Sequence, residues 1–266
     1  MYDLVLDAIV LFFAIPLSMW NLRTFKKDKW NLAWIIPWSL LLFIGISLFE
    51  ILLFIMGIIL GYLTDIIGVF GKKWWYPHYS NRLYSLSAGY GWGIITLIIF
   101  RLYFYIIEDS ANIMSWILLA VFLFLWISAE IVWGQPNLSN PWLIIRTVLT
   151  ILFLLISDDI LFLLVAAAGA VYLELLGTSL RIWIYYDKAP SYLHLGAGYA
   201  QLSYVCFLIA NLVTNNIFPS VQQIIILLML VVLYIMDYSG IKLSIWENRK
   251  KKTLINKSKS KQRNLN

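Results

Sequence analysis

Long apolar runs, each broken by a few polar or turn-forming residues, organise this chain from its start to about residue 240. A helix that crosses a bilayer needs about 17 to 25 mostly apolar residues. Runs of that kind predict spans at roughly 4–21, 32–48, 50–69, 84–106, 112–133, 141–157, 159–178, 193–213 and 219–240. The stretches 32–69 and 141–178 are ambiguous, because each reads as one long tilted helix or as two helices joined by a tight turn. With turns at 47–50 and 157–159 the chain has nine spans; without them it has seven.

Charge arbitrates between the two. In the nine-helix arrangement Arg23, Lys26, Lys27, Lys29, Lys72, Lys73, Arg82, Arg181 and Lys188 fall on the side of the C-terminal tail. Asp3, Asp7, Glu50, Glu108, Asp109, Asp158 and Asp159 fall on the other. Cytoplasmic loops are enriched in Lys and Arg, so this arrangement predicts an N-terminus outside the cell membrane and a cytoplasmic C-terminus. Seven helices would put Lys72, Lys73 and Arg82 outside. Composition agrees with a membrane protein: 62% of the 266 residues are hydrophobic and only 13% charged, with a mean hydropathy of +0.81. The formal charge of +6 comes from the tail, where residues 242–266 hold nine Lys or Arg and one acid. A tail with so little to bury is expected to be disordered and to contact anionic lipid rather than nucleic acid.

The chain also repeats itself. "DIIGVFGKKWWY" (65–76) and "ELLGTSLRIWIY" (174–185) share an acid, a glycine three positions on, a tryptophan nine on and a tyrosine eleven on. At the same offset of 109, Glu50 meets Asp159, Lys72 meets Arg181, and Ala-Gly-Tyr at 88–90 meets Ala-Gly-Tyr at 197–199. A fixed long period is the signature of a copied unit. The expected architecture is therefore an all-α polytopic protein of two parallel four-helix repeats, residues 1–108 and 109–217. A final helix at 218–241 and the basic tail at 242–266 complete it. Gly57 and Gly61, with Gly89 and Gly93, are spaced to let neighbouring helices approach closely.

Few residues could carry chemistry. Intramembrane acids are costly and commonly face a bundle interior, so Asp65 and Glu174 are the candidate catalytic pair, one giving a proton and the other taking it. The alternative is that each pairs with the following cation, Lys72 or Arg181, and ends its helix. Trp74, Tyr76, Tyr90, Trp183, Tyr185 and Tyr199 are candidates to line a substrate site and shield a cation; an interfacial aromatic belt is the other reading. Glu50 and Asp159 read as helix caps, Glu130 and Asp237 as weaker candidates, and Arg101 and Arg146 as cations snorkelling at helix ends. Cys206 stands alone in an apolar run and reads as packing. His78 and His194 have no ligand spacing, so no metal is expected. No phosphate-binding glycine loop occurs, and no cofactor is implied. Nothing in the pattern specifies an oligomeric state.

The acid followed by Trp-x-Tyr resembles two families of integral-membrane carotenoid enzymes over about 35 residues per repeat. "D-x8-WWY" (Asp65 to Tyr76) is similar to the tandem-domain lycopene cyclases of archaea and fungi. Trp183, Tyr185, Tyr199 and Ala200 resemble the bacterioruberin-type carotenoid hydratases. The resemblance implies acid-initiated cyclisation or hydration of an isoprenoid. The chain departs from the cyclases after the Trp loop, where they carry Pro-Leu-Glu-Glu and this sequence reads "SLSAGYGW" and "HLGAGYAQ". A transporter or lipid-handling protein with duplicated halves, and a non-catalytic membrane subunit, are the alternatives.

Overall fold

A computed structural model of the chain describes residues 4–25, 28–70, 74–77, 86–108, 113–133, 148, 160–185, 192–215, 220–225, 227–229 and 231–232. Helices α1 (Leu4–Phe25), α2 (Asp28–Leu42), α3 (Leu48–Phe70), α4 (Leu86–Glu108), α5 (Ile113–Trp133), α6 (Ile160–Ser179) and α7 (Tyr192–Asn215) make up nearly all of them. Two short strands, β1 (Trp74–Trp75) and β2 (Ile184–Tyr185), pair antiparallel with Trp74 opposite Tyr185 and Trp75 opposite Ile184. Among the described residues four helices are long and apolar enough to cross a membrane: Leu4–Phe25, Leu48–Val69, Ala88–Glu108 and Leu161–Ser179. Apart from Val148, the predicted span at 141–157, with the turn at 157–159 and the basic tail, lies outside the described residues.

The stretch 32–69 is two helices. The chain turns at 43–47, where Gly45 has φ +71°, a conformation that needs no side-chain accommodation in glycine. Ser47 then opens α3 with a reciprocal cap. Its N–H and hydroxyl donate to Glu50 Oε2 at 2.9 and 2.8 Å, and the Glu50 N–H donates to Ser47 Oγ at 3.3 Å. Glu50 is thus a cap, as expected. The preceding helix α2 is only 15 residues long, with Pro37 inside it.

At the centre, α3 packs on α4 and α7, and α6 packs on α7 and α4. Glycines set the α3–α4 spacing. A methyl added at Gly57 would lie 2.7 Å from Thr96 Oγ1, one at Gly61 2.4 Å from the Trp92 side chain, and one at Gly93 2.8 Å from the Phe54 carbonyl oxygen. The expected close approach of these helices is therefore present, and it runs antiparallel. Ala166 and Ala170 are buried on α6. Helix α1 contains a π-helical turn at Val10–Ala14, and carbonyls there accept bonds from Tyr172 (to Leu11 O, 3.2 Å) and Trp34 (to Ala14 O, 3.3 Å).

Arg101 does not snorkel. It is 5% exposed, with Nε 2.8 Å from Glu50 Oε1, Nη1 3.2 Å from Asp7 Oδ1, and Nη2 donating to the Leu42 carbonyl at 2.8 Å. The Tyr105 hydroxyl donates to Asp7 Oδ2 at 3.0 Å. A guanidinium buried this deeply must have its N–H groups and charge satisfied from within. Partners from α1, α3 and the end of α2 do so, and they tie α4 to all three.

Candidate functional site

The repeated motif is a local folding unit, and the second copy shows why each residue type is present. Glu174 sits on α6 five residues before the helix ends at Ser179. The end is a Schellman-type reversal: the Ile182 N–H donates to Gly177 O at 2.8 Å, the Arg181 N–H donates to Thr178 O at 3.0 Å, and Arg181 takes φ +55°. This turns the chain back along its own helix and lays the Trp183 ring across Gly177, where an added methyl would be 2.0 Å from the ring. Only glycine leaves that seat open. The indole Nε1 then donates to Glu174 Oε1 at 2.8 Å, and the Tyr185 hydroxyl donates to the same oxygen at 2.7 Å. Tyr199, from α7, donates to Oε2 at 3.3 Å.

The first copy repeats the arrangement. Asp65 lies five residues before the end of α3, and a methyl at Gly68 would be 2.0 Å from the Trp74 ring. The Tyr76 hydroxyl and the Trp74 indole both hydrogen-bond Asp65. Its Oδ2 is buried and has no hydrogen-bond partner among the described residues.

The strand pair brings the two copies face to face. Trp74 packs edge-on against Tyr185 with centroids 6.0 Å apart, and Tyr76 against Trp183 at 6.2 Å. Asp65 and Glu174 are 5% and 1% exposed, and Asp65 lies within electrostatic range of Glu174. Asp65, Glu174, Trp74, Tyr76, Trp183, Tyr185 and Tyr199 therefore form one cluster. Burial, and next the charge of Asp65, lifts Tyr76 well above the usual phenol value; burial and Glu174 do the same for Tyr185. Both phenols remain O–H donors over the whole neutral range.

Comparisons of the chain with protein-family models, with curated proteins and with solved structures returned no match.

Tyr90 is not brought to this cluster. Its hydroxyl bonds Ser39 on α2 and its ring meets Phe54 at 5.3 Å. Arg181 is exposed, whereas buried Glu174 is bonded by aromatic donors. Lys72, His78, Asp159 and Asp237 lie outside the described residues, as does the side chain of His194. Between α3, α4, α6 and α7, a cavity of about 10 Å³ is lined by Thr96, Ser203, Cys206, Trp92 and Tyr199. It has room for about one water molecule. Cys206, buried as expected, faces this space, and Tyr199 connects it to Glu174. Sequence reasoning missed Ser39, Thr96 and Ser203; the available signal was a hydroxyl within an otherwise apolar helix. For the Arg101 cluster the signal was an arginine inside an apolar run, which marks a paired residue more often than a snorkelling one.

Proposed function

We propose that the chain is a membrane-embedded enzyme that starts the cyclisation or hydration of a polyene lipid by protonating it. The observation that carries this reading is the buried pair Asp65 and Glu174, walled by aromatic rings, with one carboxyl oxygen bare among the described residues. Two carboxyls so placed share one proton more cheaply than they bear two charges. Glu174 receives three N–H or O–H donors, which suit an anion, while Asp65 Oδ2, unbonded among the described residues, is placed to hold and deliver the proton.

In this scheme Asp65 Oδ2–H gives its proton to a terminal C=C bond and becomes a carboxylate, and the substrate becomes a carbocation. Trp74, Trp183, Tyr76 and Tyr185 face that charge with their rings. The cation closes a ring and loses a proton to Glu174, or it takes up water whose proton passes to Glu174. Return of that proton from Glu174 to Asp65 resets the pair. A site this dry keeps the cation from indiscriminate capture by water.

The same reading takes the chain as two parallel four-helix repeats and a ninth helix, with the acid cluster toward the cytoplasmic face and the tail inside. The matched hydrogen bonds in the two motifs support duplication, and the unbroken courses of α3, α4, α6 and α7 favour an enzyme over a transporter with broken central helices. Expression in a lycopene-accumulating host, beside an Asp65→Asn/Glu174→Gln double variant, tests the function. A cyclised or hydrated product that disappears in the variant is expected. An unchanged lipid profile with well-expressed protein would refute carotenoid chemistry.

A further inference from the structure

The hairpin of α1 and α2 carries two cations that the acid cluster does not use. The buried Ser18 hydroxyl bonds the buried Asn31 side-chain oxygen, and this tie joins the end of α1 to the first turn of α2. Beyond the tie, each helix holds a cation over an indole. The Arg23 guanidinium lies 5.8 Å from the centroid of Trp20, and the Lys29 ammonium 5.8 Å from that of Trp30. Both distances are within the reach of a cation–π contact. Arg23 and Lys29 are exposed, and among the described residues neither has a hydrogen bond or a carboxylate partner. Buried Arg101, by contrast, has three acceptors. A contact with a ring face consumes no N–H group, so the donors of Arg23 and Lys29 remain unspent.

The surroundings fix the depth and the sign of the patch. Trp20, Phe25 and Trp30 are 53%, 58% and 55% exposed, and the first two close the candidate span Leu4–Phe25. Tryptophan at the end of a span sits at the level of the lipid headgroups. From Trp20 to Trp30 the sequence holds four cations, Arg23, Lys26, Lys27 and Lys29, against one acid, Asp28. Leu22, next to Arg23, joins one buried cluster with Tyr76, Ile182 and Trp183, so the patch and the acid cluster lie toward the same end of the bundle. Unspent N–H donors match phosphate oxygens, the guanidinium as a fork and the ammonium as a point charge. An acidic peptide would match the charge alone. A phospholipid matches the charge, the depth and the open apolar rings together.

We propose that Trp20, Arg23, Lys29 and Trp30 form a binding site for the phosphate of an anionic phospholipid, in the leaflet on the acid-cluster side. The rings hold the two cations toward the headgroup and lie against its glycerol and upper acyl carbons. The site is independent of the enzyme reading and of the basic tail.

The test is photo-crosslinking of the full-length protein in phosphatidylcholine nanodiscs that contain a small fraction of a phosphatidylglycerol analogue, with a diazirine beside its phosphate. Adducts are located by mass spectrometry of peptides. Labelling of the 20–30 segment is expected, displaced by added phosphatidylglycerol and not by phosphatidylcholine or inorganic phosphate. A cation near an anionic surface contributes about fivefold in affinity. Labelling should therefore fall about fivefold in Arg23→Gln and about thirtyfold in Arg23→Gln/Lys29→Gln. It should persist in Arg23→Lys/Lys29→Arg and in the tail variant Lys250→Gln/Lys251→Gln/Lys252→Gln. Trp20→Leu/Trp30→Leu keeps every charge and should still lower labelling severalfold, which diffuse attraction to a charged surface would not produce. All six substituted positions are exposed or in the tail, and a melting temperature equal to the parent's confirms that each variant is folded. Three results would overturn the proposal: no adduct in the segment, equal displacement by phosphatidylcholine or inorganic phosphate, or equal losses in the tail and hairpin variants. The first of these would leave the patch to an acidic protein partner.

Discussion

Replacing Gly177 by alanine asks whether the glycine is there for the Trp183 ring. In a helix interior, glycine to alanine ordinarily stabilises by about 1 kcal/mol through backbone entropy. Here the new methyl would stand 2.0 Å from the ring, and ordinary contact begins near 3.4 Å, so the ring must withdraw by about 1.4 Å. The neighbours leave little room, since Trp183 is 7% exposed and packs against Tyr76. Withdrawal carries Nε1 from 2.8 Å to beyond hydrogen-bonding range of Glu174 Oε1. Overpacking of this kind costs about 1–3 kcal/mol, and a lost bond to a charged acceptor about 1.5–3 kcal/mol. Set against the helix gain of about 1 kcal/mol, the net expectation is destabilisation by about 1.5–5 kcal/mol. Equilibrium unfolding in mixed micelles reads the value, and tryptophan emission reports the ring's move to a new environment. Because the two effects have opposite signs, the direction alone decides: a Gly177→Ala protein more stable than its parent, with unchanged emission, refutes the account of the motif.

Arg101→Leu removes the cation between Asp7 and Glu50, both 2% exposed, and stability should fall by about 3–5 kcal/mol; a loss below about 1 kcal/mol in the same unfolding assay would contradict the clasp between α1, α3 and α4. Alkaline pH acts through Tyr76 and Tyr185, whose folded-state values burial raises above the free phenol's. Their neutral forms favour the fold below about pH 10, the unfolded value, and that contribution is lost as pH rises further. Melting temperature in nanodiscs should therefore hold level up to about pH 10 and then drop, and the drop should shrink in Tyr76→Phe/Tyr185→Phe; an equal drop in both proteins would show that other groups govern it.

Much of the cluster was readable because it is local. Acid, glycine, tryptophan and tyrosine lie within twelve residues, and one helix turn and one reversal bring them together, so their spacing in the chain carries their geometry. The helix pattern was legible for the same reason: apolar runs, and a Ser-x-x-Glu cap at 47–50 that splits 32–69 in two. What depends on distant contacts was not legible. Arg101 looked like a cation near a helix end because its partners, Asp7 and Glu50, stand 94 and 51 residues away. Tyr90 looked equivalent to Tyr199 because the repeat makes them so. Tyr199 bonds Glu174, whereas Tyr90 bonds Ser39 on another helix, and no local pattern announces that contact. That the two motif copies meet through β1 and β2 was likewise beyond a reading that saw only that they were alike.

Purified protein reconstituted in vesicles with lycopene in deuterated water gives the most direct test of the Asp65–Glu174 pair. Protonation of a C=C bond by an exchangeable carboxylic acid predicts a product with one solvent deuterium fixed on carbon, and no such product from Asp65→Asn. A product formed without deuterium on carbon, or formed equally by Asp65→Asn, would contradict the acid-initiated mechanism.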